Sequence, residues 1–242
     1  MPLSMPFRTL KLADDASPAV RVAPLKNVPA GQLLIHEIYA SVQGESTFQG
    51  RPCAFIRTSG CHLRCSYCDT AHAFYDGALK TIPDILAAVK AFGLPLVEVT
   101  GGEPLLQPET PALLTALCDA GLTVLLETSG GVSTKDVDAR VHTILDVKTP
   151  SSGEDARNVW KNLERLRAHD EVKFVVGDEE DYRWSVEVLN NHAIHQRCVV
   201  LFSPVTPGMP AAELAERVWK DRLPVRFQVQ LHKVLWGEKK GV

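Results

Sequence analysis

The chain has 242 residues, of which 45% are hydrophobic and 23% charged, and its formal net charge at pH 7 is −3. That length holds one α/β domain of barrel type, or at most two small ones. The charge leaves no footprint for a nucleic acid partner, and no apolar run approaches the roughly 20 residues of a membrane span. The first residues carry no apolar stretch ahead of a small-residue cleavage site, so a cytoplasmic protein with reduced thiols is expected.

Residues 1–30 mix Pro, Asp, Ala, Lys and Arg without a helical or strand period and read as an extension, flexible or draped over the surface. Residues 31–242 read as a single domain. Leu33 to Val42 is strand-like and runs into the polar turn Gln43-Gly44-Glu45-Ser46. After a turn at Gly50 to Pro52, Cys53 to Thr58 reads as a buried strand. Thr81 and Asp84 form a capping box, with Asp in the usual place of Glu, for a helix that ends near Gly93. Leu96 to Val99 is a strand. Pro111 opens a helix carrying Leu113, Leu114 and Leu117, which Gly121 stops.

Further along, strands are expected at 123–126, 143–147, 173–176, 199–202 and 225–230, and helices at 134–139, near 159–166, at 178–190 and at 211–220. Strands alternating with helices demand right-handed crossovers and a parallel sheet. About seven such strands predict an α/β fold of the partial, incomplete TIM-barrel type. Chemistry in such folds collects at the C-terminal strand ends.

Cys61-His62-Leu63-Arg64-Cys65-Ser66-Tyr67-Cys68-Asp69-Thr70 follows the second strand, with three cysteines spaced Cys-x3-Cys-x2-Cys. So tight a spacing points three thiolates at one centre, and sulfur suits zinc, copper(I) and iron–sulfur clusters. Ordinary clusters and structural zinc use four protein ligands. A four-iron cluster on three cysteines leaves one iron open to chelate S-adenosylmethionine, and the spacing resembles the radical S-adenosylmethionine superfamily. A zinc knuckle completed by His62, His72 or Asp69, or three unrelated buried cysteines, are the plainer readings. Cys53, Cys118 and Cys198 sit singly beside apolar runs and read as buried small hydrophobes. Thr100-Gly101-Gly102-Glu103-Pro104 also ends a strand; its glycines admit close approach to a ligand, and Glu103 offers a carboxylate to an ammonium.

Together with Val42-Gln43-Gly44-Glu45, Arg57, Cys68-Asp69-Thr70, Glu127-Thr128-Ser129-Gly130, Lys148 and Leu231-His232 to Trp236-Gly237, these segments resemble the 7-carboxy-7-deazaguanine synthase family. The likeness runs from about Ile35 to Val242, with Ser46 where a Gly commonly follows Glu45. It implies a lyase of queuosine-type 7-deazapurine biosynthesis. That enzyme rearranges 6-carboxy-5,6,7,8-tetrahydropterin to 7-carboxy-7-deazaguanine with loss of ammonia, and S-adenosylmethionine is regenerated.

By the same resemblance, Cys61, Cys65 and Cys68 hold a 4Fe-4S cluster and Thr70 a magnesium ion. Tyr67, Gly102, Glu103, Glu127, Asp146, Val147 and Lys148 line the S-adenosylmethionine site. Val42, Gln43, Gly44, Glu45, Arg57, Thr100 and His232 meet the pterin. Arg57 is suited to fork onto the substrate carboxylate and Glu45 to take pterin N–H groups. An external electron donor such as flavodoxin or ferredoxin and a homodimer are implied as well. Two competing expectations are a glycyl-radical enzyme activase, which shares the triplet and the Gly-Gly-Glu-Pro stretch, and a zinc-stabilised binding module.

Overall fold

The computed structural model describes residues 18–206, 208–237 and 239. A short helix α1 (Pro18–Arg21) precedes the long strand β1 (Gln32–Val42), followed by β2 (Pro52–Thr58) and β3 (Ala78–Thr81). Then come α2 (Ile82–Lys90), β4 (Leu96–Gly101), α3 (Thr110–Asp119), β5 (Thr123–Thr128), β6 (His142–Val147), β7 (Glu171–Val176), α4 (Glu179–Asn191), β8 (Val199–Pro204), α5 (Ala211–Lys220), β9 (Arg226–Phe227) and α6 (Leu231–Trp236).

The strands form one open sheet in the order β3-β1-β2-β4-β5-β6-β7-β8-β9, not closed into a barrel. From β2 across to β9 every neighbouring pair is parallel, while β1 runs antiparallel to both β2 and β3. The parallel sheet of the partial-barrel type is therefore present but stays open, with an antiparallel edge added where β1 is joined to β2 by the nine-residue loop 43–51 rather than by a crossover helix.

Period-two alternation sorts each strand between two faces. Val97 and Val99 of β4 enter an apolar cluster with Ile85 and Val89 of α2 and Leu113, Leu114 and Leu117 of α3. Val172, Phe174 and Val176 of β7 do the same with Leu189 of α4 and Leu214 of α5. The other face carries Cys53, Phe55, Leu96, Leu125 and Ile144 low in the sheet and polar groups toward the C-terminal strand ends.

Local signals account for the helix ends. In α2 the Thr81 hydroxyl accepts from Asp84 N while the Asp84 carboxylate takes the Thr81 N–H, a reciprocal cap. Gly121, at φ +81°, turns the chain out of α3.

Four expectations need correction. Residues 134–139 form turns, because Asn162 Oδ1 takes Thr134 N at 3.0 Å and the Asp138 carboxylate takes Arg140 N at 2.9 Å, satisfying backbone donors outside a helix. Trp160–Arg165 is a 3-10 helix, consistent with apolar Trp160, Leu163 and Leu166 recurring every third residue. The strand expected over 225–230 shrinks to Arg226–Phe227, since Gln228 and Gln230 turn toward the 43–49 loop. Cys118 is only half-buried.

Residues 18–30 are the described part of the expected extension. Leu25 packs so closely over Gly60 that a methyl group there would come within 2.9 Å of its Cγ. Arg21 pairs with Glu154 at 2.9 Å and donates to the His62 carbonyl at 3.1 Å. This part is docked on the cysteine loop; residues 1–17 lie outside the described residues.

Candidate active site

A cavity of about 270 Å³ opens at the C-terminal ends of β2, β4, β5, β6 and β7. It gathers Cys61, Cys65, Cys68, Thr70, Tyr67, Gly102, Glu127, Asp146, Lys148, Val42, Gln43, Gly44, Glu45, Arg57, Thr100 and His232. Glu103 and Val147 do not line it.

The three cysteines are free thiols on one loop, packed with Leu63 and Phe74. Burial is the main influence on each thiol: it drives Cys61 up to about 12 and Cys65 up to about 11, and raises Cys68. The loop is held by its surroundings. Glu154 Oε1 takes Arg64 N at 2.7 Å, and Ser66 is tied to 151–152 by its backbone N and its hydroxyl.

Gly101 and Gly102 serve this packing. A Cβ on Gly102 would collide with the Gly60 carbonyl, and one on Gly101, at φ +130°, with the Thr58 backbone. Close passage lets Gly102 N reach Thr58 O at 3.1 Å and Glu103 N reach Gly60 O at 2.8 Å. Glu103 itself is fully buried, and its carboxylate accepts from Leu105 N, Thr128 Oγ1, Ser129 N and Ser129 Oγ. It thus staples the β4 end to the β5 end.

Buried charge fills the middle of the cavity. Lys173 Nζ contacts Glu45 Oε2 at 2.8 Å, Glu127 Oε1, and Asp146 Oδ2 at 3.4 Å, while Lys148 Nζ sits 3.0 Å from Asp146 Oδ2. Burial opposes the charge of both lysines, but the surrounding carboxylates outweigh it and hold them well above the ordinary lysine value. Burial also pushes all the carboxyls up. For Glu45 and Asp146 the lysine charges win and leave them below their ordinary values. For Glu127 burial and neighbouring carboxylates prevail, and Glu98, buried beside Glu127, is raised well above the ordinary value.

The turn after β1 is clamped from the C-terminal side. Gln230 Nε2 donates to Glu45 Oε1 at 2.8 Å, Leu231 N to Gly44 O at 2.9 Å, and Gln228 Nε2 to Ser46 O at 2.8 Å. A Cβ on Gly44 would strike the His232 ring, so glycine there seats the histidine over the turn. Gln43 has both amide atoms engaged: Oε1 accepts from Glu45 N at 3.0 Å and Nε2 donates to Glu98 Oε2. Ser46 takes φ +61°, the left-handed conformation that a Gly adopts more easily.

On β2, Arg57 Nε donates to Glu37 Oε1 at 2.7 Å and Nη2 to the Tyr39 hydroxyl at 2.8 Å. These contacts aim the guanidinium and leave its terminal edge for a planar anion. Thr70 Oγ1 donates to Asp69 Oδ1 at 2.9 Å, and Asp69 pairs with Lys233 at 3.0 Å.

Lys173, Glu98, Glu37 and Tyr39 also line the cavity and were not singled out as site residues. Their signal was present: Glu98 and Lys173 are charged residues inside otherwise apolar parallel strands, where an unpaired charge is costly.

A parallel α/β sheet with a three-cysteine loop at its C-terminal edge defines a radical SAM protein, and residues 55–218 match the Radical SAM superfamily. Among relatives, the 7-carboxy-7-deazaguanine synthase of Chlorobaculum tepidum is 47% identical over 218 residues, covering 87% of this chain and 97% of that protein. That of Koribacter versatilis is 40% identical over 86% and 99%, and that of Methanospirillum hungatei 36% over 97% and 99%. The chain belongs to the 7-carboxy-7-deazaguanine synthase family. The crystal structure of QueE from Escherichia coli matches with a TM-score of 0.69 at 23% identity, over 83% of this chain and 95% of that one, a likeness of fold.

Proposed function

We propose that this chain converts 6-carboxy-5,6,7,8-tetrahydropterin to 7-carboxy-7-deazaguanine with loss of ammonia, as the radical SAM lyase its family membership describes. The observation that carries the reading is the meeting, in one cavity, of three free cysteines with Arg57, Glu45, Thr100 and His232.

The donor set fits the implied cofactors. Cys61, Cys65 and Cys68 would hold a 4Fe-4S cluster, and Asp146 Oδ1, buried without a hydrogen-bond partner, is a ready acceptor for a polar group of S-adenosylmethionine. When bound, the cluster and S-adenosylmethionine supply a carbon radical that abstracts a substrate hydrogen. Gly102, Glu127 and Lys148 line the same part of the cavity; Glu103 and Val147 support it from behind.

Arg57 presents its terminal edge to the substrate carboxylate, a bidentate match that Glu37 and Tyr39 keep oriented. Glu45 offers acceptors to pterin N–H groups while Gln43, locked between Glu98 and Glu45 N, fixes the turn that presents it. Val42, Gly44, Thr100 and His232 complete the wall. Burial raises Glu98 well above the ordinary carboxyl value and raises Glu127 as well, so these two carboxyls take up a proton more readily than Glu45 or Asp146 during turnover. Thr70 would give Mg²⁺ one oxygen ligand, the rest coming from substrate and water.

Anaerobically reconstituted protein given carboxy-tetrahydropterin, S-adenosylmethionine, reductant and Mg²⁺ should release the deazapurine. Recovery of unreacted pterin under those conditions would overturn the proposal. Omitting Mg²⁺ should lower the rate, and a flavodoxin or ferredoxin should replace a chemical reductant. No helix among the described residues is long and apolar enough to cross a membrane. Free thiols that must stay reduced to hold the cluster fit a cytoplasmic location, and the homodimer implied by the resemblance is tested by light scattering. The glycyl-radical activase reading is disfavoured by the relatives that cover most of the chain at up to 47% identity, which are 7-carboxy-7-deazaguanine synthases.

A further inference from the structure

Away from the cysteines, a second set of ligating side chains meets where β1 departs from regular pairing. Ile35 pairs with Thr58 and Glu37 with Arg57, so His36 is an extra residue in β1. A bulge of this kind breaks the alternation that sends neighbouring side chains to opposite faces. His36 and Glu37 therefore reach the same place, and His72, from the 3-10 turn Ala71–Ala73 after the cysteine loop, joins them. One ligating atom from each lies within 4.8 Å of the other two, and the His36 and His72 rings stand edge to face with centroids 5.1 Å apart.

Hydrogen bonding sets up the donors. His36 Nδ1 lies 3.0 Å from the Asp76 carbonyl, which only accepts, so Nδ1 carries the hydrogen and, in the neutral ring that binds a metal, the lone pair is on Nε2. Metal-bound histidines are held in this way. Glu37 uses Oε1 for Arg57, which leaves Oε2 outside that bond. Two imidazoles and a carboxylate suit zinc and similar borderline cations, whereas Mg²⁺ prefers an all-oxygen shell. Ligands on tetrahedral zinc, at about 2.0–2.1 Å from the metal, stand about 3.4 Å from one another. The donors already lie within 4.8 Å of one another, so reaching that spacing takes closures of about 1.4 Å or less between any pair.

We propose that His36, Glu37 and His72 form a binding site for a single Zn²⁺-class ion at the rim of the cavity, with the fourth position open to water. The site shares no ligand with the cysteine triplet or with Thr70. It does not depend on which reaction the cavity carries out.

The test uses the full chain with its cluster reconstituted, so that the cysteines are already engaged. After equilibrium dialysis against Zn²⁺ in the presence of excess Mg²⁺, elemental analysis should find one zinc per chain in addition to the cluster iron. His36→Asn and His72→Asn should each lose that zinc while keeping the parent's iron content. Zinc K-edge absorption of the parent should show nitrogen and oxygen neighbours with imidazole scattering and no sulfur. Equal zinc in parent and variants overturns the proposal, as does a sulfur shell. The parent's absorption spectrum decides the matter if a variant fails to hold its cluster.

Discussion

The two faces of one sheet make an instructive pair. Along β7, Val172, Phe174 and Val176 lie in the apolar cluster under α4 and α5, while on the other face, one residue out of step, Glu171 meets Thr47 and His142 and Lys173 meets Glu45, Glu127 and Asp146. Along β4, Val97 and Val99 pack with α2 and α3, while Glu98 and Thr100 face the cavity. The same backbone thus serves two opposed demands. On the helix side, burial of apolar area stabilises the fold; on the cavity side, charges are kept dry at a cost that only mutual pairing offsets.

Substitutions should separate the two faces. The largest effect belongs to the cysteine loop. Cys68→Ala should lose cluster iron and all product formation while its unfolding midpoint in denaturant stays near the parent's; parent-level iron in that variant would break the assignment of the cavity face. On the opposite face, Phe174→Ala removes a ring that is 0% exposed and packed against Phe202 and Trp184. It should cost about 3–5 kcal/mol by urea titration, with turnover per folded molecule little changed.

Lys173→Met crosses the divide. It leaves Glu45, Glu127 and Asp146 facing one another without their shared cation, so a cavity-face residue should cost stability, on the order of 3 kcal/mol. A loss of activity with no loss of stability would show that the carboxylates simply take up protons.

A smaller effect appears as pH dependence. Burial, then the Glu127 charge, raises Glu98 well above 4.5, so the folded protein holds that proton more tightly than the unfolded chain. Stability from this group is fully present below about 4.5 and declines as pH rises toward the folded value. Glu98→Gln should flatten that decline, as read from thermal midpoints between about pH 4 and 8. Smallest of all, Ser46→Gly exchanges relief at φ +61° for loss of the Ser46 hydroxyl bond to Phe48 N, with the two expected to balance within about 1 kcal/mol.

The strands beside the cavity were legible because each is a short apolar run closed by polar residues, and the α2 cap because Thr81 and Asp84 sit three apart. The edge strand β3 was not: Ala78 to Thr81 has no apolar pattern of its own and is a strand only because β1 offers it a partner. Expected helix 134–139 failed for the complementary reason, since Asn162, distant in sequence, takes a backbone donor there. At the site, cysteine spacing and the Gly-Gly-Glu-Pro stretch disclosed the ligand-bearing loops. They gave no hint that Glu103 would spend its carboxylate on Thr128 and Ser129.

By itself, then, the order of residues determined the strands beside the cavity, the ends of α2 and α3, and which loop carries the thiols. These follow from periodicity and spacing, properties of a few consecutive residues. Only the folded chain decided that Lys173 sits among Glu45, Glu127 and Asp146, and that the β1 bulge gathers His36, Glu37 and His72. Such groupings depend on how distant strands register against one another, and on a Coulomb interaction whose strength is set by the burial that packing creates.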